Sequence, residues 1–247
     1  YSIASSATRE QTEEIGRILE LVHAGYTGFF RDLLPSSTDS APVRRQVMLY
    51  RNREEFRRCN RSYRWAEAFY GGGCCHAYYS DRTANPYHWM THEAVHQLNT
   101  EVAHVAPAKW LEEGIAEYFS TSRIVEGRIN LGSPDPDTYP VWWLDILATA
   151  KNLEADKTNG SVIPLRIIVS CRGGPDIDTH FNLYYLHWWT LTHFLIMHEN
   201  GKYRSGMLSL WKHGGVLTAF EEKIGPIDRI ETEWYAHVLE LKRSLGE

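Results

Sequence analysis

Two histidines four positions apart are the residues best suited to chemistry in this sequence. They stand in the string His92-Glu93-Ala94-Val95-His96. Side chains four positions apart lie on one face of an α-helix, so the two imidazoles can hold one zinc ion. Glu93 follows the first histidine directly, and from there its carboxylate can take a proton from a water molecule that zinc has made more acidic. The string therefore predicts a zinc site with a general base.

A second string, running from Trp110 to Tyr118, offers carboxylates for a third ligand. Catalytic zinc takes three protein ligands and keeps one position open. The short link between the two strings is typical of an antiparallel helix pair, which would bring the start of the second helix opposite the histidines. Spacing alone leaves Glu112 and Glu113 equally suitable. Glu117 lies on the same helix face as Glu113 and is a candidate acceptor for the far nitrogen of a ligand histidine.

Together the two strings resemble those of the gluzincin metallopeptidases, which include thermolysin-like enzymes and zinc aminopeptidases, and above all the bacterial peptidase MA-like branch. The second string matches the family pattern Trp-Leu-x-Glu-Gly. The resemblance implies that His92, His96 and Glu113 bind Zn2+ and that Glu93 is the base. It also implies that Glu117 supports a ligand histidine from behind.

The segment from Tyr185 to Leu195 resembles a helix of the same family that begins with a tyrosine and ends in a Phe-Leu pair. By this resemblance, Tyr185 stabilises the oxyanion that forms during amide hydrolysis. Trp188 stands where the family commonly has a small residue, which predicts a reshaped pocket. Tyr184 and His187 stay open as alternatives for the role of Tyr185.

The elements that must position these residues are predicted as a mixture of helices and strands. The resemblance implies an α+β, thermolysin-like catalytic fold that forms a single domain over residues 1–247, with an N-terminal lobe at about 1–105 and a C-terminal lobe at about 106–247. Apolar periodicity and chain breakers predict helices at 8–34, 53–61, 85–102, 108–122, 141–153, 181–198, 205–212 and 227–245, strands at 47–50, 75–79 and 163–169, and a hairpin at 124–131.

Composition and charge exclude several classes of protein. The net charge of −5 over 247 residues gives no general basic signature for nucleic-acid binding. No apolar run is long enough to span a membrane. The chain begins at Tyr1 without a methionine or a signal peptide, and we expect a secreted or periplasmic protein whose leader has been removed.

Arginines crowd one short stretch, where Glu54 and Glu55 balance part of their charge. We interpret this stretch as a solvated helix face, with a docking patch for an anionic partner as the alternative. The arginines are Arg44, Arg45, Arg51, Arg53, Arg57, Arg58, Arg61 and Arg64.

Four cysteines, Cys59, Cys74, Cys75 and Cys171, lack the paired spacing of a zinc ribbon. A disulfide from Cys59 to Cys74 or Cys75 and a set of free thiols are both compatible with this spacing.

The predicted function is zinc-dependent hydrolysis of a peptide or protein amide bond. Two other functions use the same residues: hydrolysis of a non-peptide amide, and binding without catalysis on the same fold. A long groove favours a peptide, a closed pit favours a small substrate, and a fourth protein ligand on the metal favours a binding module. The presence of Glu93 argues against the binding module, because a structural metal site needs no base.

Overall fold

The computed structural model describes residues 1–35, 44–63, 66–80 and 85–246. It contains helices and small sheets, so the predicted α+β class is confirmed. The chain divides into two compact units. The first unit contains Tyr1–His104 and Ser122–Leu131, and the second contains Val105–Thr121 and Gly132–Glu247.

Four strands form the sheet of the first unit: β1 (Ser2–Ser5), β2 (Gln46–Tyr50), β3 (Ala68–Gly71) and β4 (Cys74–Tyr78), in the order β1-β2-β4-β3. The first, second and fourth strands are parallel, and β3 pairs with β4 in the antiparallel direction. Gly72 and Gly73 join these two strands with φ values of 59° and 75°, a left-handed backbone that favours glycine. The sequence predicted β2 and β4 to within one residue, but not β1 or β3.

Helices cover both faces of this sheet: α1 (Arg9–Phe29), α2 (Arg53–Cys59) and α3 (His88–Leu98). Thr8 caps the start of α1 with a capping box, in which its side chain accepts from the Gln11 N–H and the Gln11 side chain accepts from the Thr8 N–H. Alternate strand residues point to one face, as the period of two requires. The core on that face contains Ile15, Leu19, Val47, Leu49, Ala68, Cys75, Ala77, Met90 and Ala94. The first and third helices therefore pack on the same side of the sheet.

A two-stranded hairpin, β5 (Ser122–Val125) and β6 (Arg128–Pro134), lies where the sequence predicted one. Its turn residues, Glu126 and Gly127, have φ values of 50° and 71°. Two consecutive positive φ values are the mark of a type I′ turn, whose twist matches that of the flanking strands.

The second unit is mainly helical, with α4 (Lys109–Ser120), α5 (Leu153–Asn159), α6 (Leu165–Ser170), α7 (Phe181–Met197), α8 (Arg204–His213), α9 (Leu217–Lys223) and α10 (Ile227–Leu245). Nearly every side chain of α7 after its first turn is buried, which is expected of a helix surrounded by others. The Trp234 indole of α10 donates to the Thr190 hydroxyl of α7 at 3.1 Å. The long apolar helix that the sequence predicted is thus central to this unit.

Two element predictions in the second unit are wrong. Residues 141–153 were predicted to be one helix, but only Val141–Ile146 is helical, and it is a 3-10 helix. Residues 163–169 were predicted to be a strand, but Pro164 instead precedes the helix α6. A short apolar run fits a strand and a buried helix equally well, so periodicity could not separate them. The carboxylate of Glu231 accepts the backbone N–H of Leu165 at 2.7 Å and helps to begin this helix.

The four cysteines are all free thiols, which decides between the two alternatives that their spacing left open. Several arginines of the crowded stretch are ion-paired with two glutamates. Glu55 pairs with Arg51 and Arg58, and Glu67 pairs with Arg53 and Arg57. Arg64 lies outside the described residues. Among the described helices, none combines the length and the apolar character needed to cross a membrane.

Candidate metal centre

The three predicted ligands come together in the structure. One ligand atom from each of His92, His96 and Glu113 lies within 4.8 Å of the others, so this group could hold a metal ion. His92 is buried, and the other two side chains are half-buried. Partial burial suits a site that must exclude most water and still admit a ligand.

The two imidazole nitrogens are spaced as a tetrahedral divalent ion would hold them. Zinc–nitrogen bonds of about 2.05 Å in tetrahedral geometry place two ligand nitrogens about 3.3 Å apart. The Nε2 atoms of His92 and His96 are 3.1 Å apart. Two imidazoles and one carboxylate are also a common donor set of catalytic zinc, although they bind other divalent first-row metals as well. The arrangement thus fits a divalent ion of this class.

The packing of α3 explains how both histidines reach one place. Met90 and Ala94 of this helix belong to the core above the sheet. His92 and His96 lie two positions further along, which is a rotation of about 200° on a helix with 3.6 residues per turn. The face of α3 that carries the two imidazoles is therefore opposite the face that packs on the sheet.

Glu93 lies between these two faces and is half-buried. Burial, and after it the charge of Glu93, raises the pKa of the Cys75 thiol on β4. The next turn of α3 is anchored by Gln97, whose amide donates to the backbone oxygen of Gln46 at 3.3 Å and to the Glu101 carboxylate at 3.1 Å. The bond to Gln46, which lies in β2, holds the C-terminal end of α3 against the sheet.

The third ligand is carried by α4, which packs closely on α7. A Cβ atom on Gly114 would come within 2.2 Å of the Thr192 hydroxyl and 2.5 Å of the Trp188 carbonyl oxygen. Only glycine allows the two helices to approach this closely. The preceding residue, Glu113, accepts a hydrogen bond at its Oε2 from the Tyr185 hydroxyl of α7, at 3.1 Å. The helix contact thus sets the position of the carboxylate.

Glu117 follows one turn after Glu113 on α4 and is fully buried. The Ser120 hydroxyl donates to its Oε2 at 3.1 Å. Burial raises the pKa of the Tyr139 phenol, and the charges of Glu117 and Glu113 raise it further. The two carboxylates therefore make the electrostatic potential around Tyr139 negative. Glu112, the other acid that spacing left open, is half-buried in the first turn of the helix.

Neither alternative to Tyr185 makes a hydrogen bond to Glu113 in the structure. Tyr184 donates its hydroxyl to the Pro175 carbonyl oxygen at 2.9 Å. His187 is fully buried and bridges two backbone groups, because its Nδ1 donates to the Leu183 oxygen at 2.7 Å and its Nε2 accepts from the Ile163 N–H at 3.0 Å. Burial lowers the pKa of His187 to about 4, so the ring is neutral at pH 7.

A second pair of imidazoles lies elsewhere in the second unit and was not predicted. Nδ1 of His193 on α7 lies 3.0 Å from Nε2 of His237 on α10, and the other ring nitrogen of His193 lies 3.2 Å from the Gly132 oxygen. The carbonyl can only accept, so His193 carries its proton on Nε2 and His237 donates to Nδ1. The two histidines are 44 positions apart in sequence, and no local spacing could have indicated their contact.

Comparison with known proteins adds one finding. Residues 88–209 match a family model described as a protein of unknown function, DUF1570. The matched segment contains the whole of α3, α4 and α7, and therefore includes all three residues of the metal-ligand group. No curated protein matches the chain.

Proposed function

We propose that this chain is a zinc-dependent metallopeptidase that hydrolyses peptide or protein amide bonds, with the helix arrangement of the gluzincins around its metal. The observation that carries the proposal is the group of His92, His96 and Glu113, with donor atoms within 4.8 Å of one another. The position of Glu93, directly after the first of these ligands, supports a catalytic rather than a structural use of the metal.

Zinc bound by these three residues would lower the pKa of a water molecule and polarise the amide carbonyl. The Glu93 carboxylate removes a proton from the attacking water and later delivers it to the nitrogen of the leaving amine. Both steps use one carboxylate, which is a base first and an acid afterwards. A glutamate one position after a ligand histidine suits this role because the helix holds it beside the metal group.

Tyr185 and Glu117 have supporting roles in this proposal. The Tyr185 hydroxyl lies next to the ligands because it donates its one hydrogen to Glu113 Oε2. With substrate bound, this hydrogen turns from the carboxylate to the amide oxygen as that atom gains negative charge. The buried Glu117 carboxylate accepts the N–H of a ligand histidine, which fixes the ring tautomer and leaves the other nitrogen available for the metal.

The test compares the unmodified protein with Glu93→Gln, after both have been loaded with zinc. We expect equal zinc content by elemental analysis, and about 10³-fold slower cleavage of a mixed peptide library by the variant, because the amide cannot take a proton. Glu112→Gln is the matched control and should cleave at the normal rate. A zinc chelator should stop cleavage, and added zinc should restore it.

The proposal fails if the zinc-loaded protein leaves the whole library intact, or if Glu93→Gln cleaves as fast as the unmodified chain. It also fails if elemental analysis finds no metal after loading, since the three ligands would then not form a site.

A further inference from the structure

Exposed aromatic rings continue outward from the candidate metal ligands within the second unit. Phe181 and Trp142 keep 40% and 44% of their surface exposed. Single exposed apolar side chains are common, but a connected group of them marks a binding surface. Both rings contact the buried ring of Tyr139, at centroid distances of 6.3 Å and 6.2 Å. We call Trp142, Tyr139, Phe181 and Tyr185 the aromatic row.

The row is continuous with the candidate site through Tyr185. Phe181 precedes Tyr185 by one helical turn on α7, and the two ring centroids are 4.4 Å apart. At its other end, the Tyr185 side chain donates its hydroxyl to Glu113 Oε2. A single side chain therefore joins the exposed rings to a metal ligand. A substrate held at the metal would place its neighbouring side chain on this row.

The charges around the row favour an uncharged occupant. The buried Glu117 carboxylate makes the electrostatic potential at Tyr139 more negative, which opposes an acidic side chain. At the inner end, the Lys109 ammonium lies 5.6 Å from the centre of the Trp188 ring, and Trp188 contacts Tyr185 at 4.9 Å. A second cation there would be repelled by the first.

We propose that the aromatic row is a specificity subsite that binds an aromatic side chain of a peptide substrate next to the bond to be cleaved. This inference rests on the proposed peptidase function. Aromatic rings gain from offset or edge contacts with one another beyond the area that they bury. Phe181 and Trp142, which both contact Tyr139, offer exposed ring surface for such contacts.

The experiment measures the binding of blocked tripeptides, acetyl-Ala-X-Ala-amide, to zinc-loaded Glu93→Gln protein, so that turnover does not interfere. X is Phe, Leu, Ala, Lys or Glu. We expect the Phe peptide to bind about tenfold tighter than the Ala peptide and tighter than the Leu, Lys and Glu peptides. Adding Phe181→Ala or Trp142→Ala should remove most of this preference.

Trp143→Ala is the matched control, because Trp143 has nearly the same exposure as Trp142, at 42%. In the described part of the chain, no aromatic ring contacts Trp143. It should keep the Phe preference. Thermal unfolding of every variant checks folding, and Phe181→Leu replaces Phe181→Ala if the alanine variant unfolds early.

The outcomes separate this inference from the proposed function. If the protein cleaves no peptide but shows a Phe preference that depends on Phe181 and Trp142, the proposed subsite is supported and the proposed peptidase function is rejected. Cleavage without a Phe preference keeps the peptidase and overturns the subsite. Equal binding of all five peptides, preference for the Leu, Lys or Glu peptide, or loss of the Phe preference in Trp143→Ala also overturns it.

Discussion

Two histidine pairs in this protein have nearly the same separation between ring nitrogens and different surroundings. The Nε2 atoms of His92 and His96 are 3.1 Å apart, and His193 Nδ1 is 3.0 Å from His237 Nε2. The first pair has a Glu113 carboxylate oxygen within 4.8 Å of its ligand nitrogens. The second pair has the Gly132 carbonyl oxygen instead, which accepts a hydrogen bond from the Nε2–H of His193. The spacing of two ring nitrogens therefore does not by itself indicate a metal site. A third donor atom must be close, and the ring nitrogens must be free of hydrogens that point at hydrogen-bond acceptors.

The most severe test of this comparison removes one histidine from each pair. His96 and His237 are both half-buried, so their alanine variants are well matched in burial. After loading with zinc, His96→Ala should retain no zinc and should lose more than 10³-fold of the proposed peptidase activity, because two ligands hold the ion too weakly. His237→Ala should keep one zinc per chain by elemental analysis. Zinc loss in His237→Ala, or full zinc in His96→Ala, would reverse the assignment of the two pairs.

The next test removes only the third donor. Glu113→Gln keeps the size of the side chain and replaces an anionic ligand with a neutral one. Zinc affinity, measured by competition with a fluorescent chelator, should fall about 100-fold. The first histidine pair, like the second, would then have no anionic third donor. Glu112→Gln changes the same charge one position earlier and should leave the affinity unaltered. If the two variants lose affinity equally, the ligand is not Glu113 in particular.

A third test concerns the helix contact that delivers this carboxylate. Gly114→Ala should lower the free energy of unfolding by about 2 kcal/mol, because the added methyl group meets Thr192 and the Trp188 backbone with no room to move. Gly28→Ala in α1 is the control. Its Cβ would enter open space, and urea unfolding should show a slight gain or no change. A neutral Gly114→Ala would mean that α4 and α7 can separate without cost.

The most gradual expected effect is a pH dependence of stability to which both histidines of the second pair contribute. Burial lowers the pKa of His193 to about 4, and burial with the charges of His193 and His198 lowers that of His237 to about 3. Histidine in the unfolded chain titrates near 6.5, so below that pH the unfolded chain binds more protons than the folded one. Stability should therefore fall as the pH drops from about 6.5 to about 4, by up to about 1.4 kcal/mol per pH unit for each histidine.

Urea unfolding at pH 7, 6 and 5 measures this slope, with a chelator present so that metal release makes no contribution. His237→Gln removes one of the buried histidines that contribute to this slope, and the variant should therefore give a shallower slope. Equal slopes for the two proteins would show that the pair does not stay neutral in the folded state.

The two pairs also show what the sequence could and could not predict. His92 and His96 share one helix, so their contact follows from the helical period. Glu113 needed both its position in the next helix and the family resemblance to be separated from Glu112. The contact of His193 with His237 depends on how α7 packs against α10, and nothing local encodes it. The same holds for the hydrogen bond from Tyr185 to Glu113, which joins residues 72 positions apart.

The helices and strands show the same difference between local patterns, which a sequence reveals, and long-range contacts, which it does not. Sequence periodicity predicted α10 at its observed bounds and α7 to within one residue, because both are long and carry clear apolar patterns. It missed β1, a four-residue strand whose partner, β2, begins more than forty residues later. Short elements are stabilised by their neighbours rather than by their own composition, so a single sequence carries little signal for them.

The assignment of Ser122–Leu131 to the first unit, between two segments of the second, has a consequence for engineering this protein. The chain passes from one unit to the other after His104, Thr121 and Leu131, so a single crossover cannot exchange one unit for that of a homologue. A chimera joined only after residue 104 would combine a hairpin from one parent with a sheet from the other. An exchange that leaves each unit with one parental origin must replace 1–104 and 122–131 together.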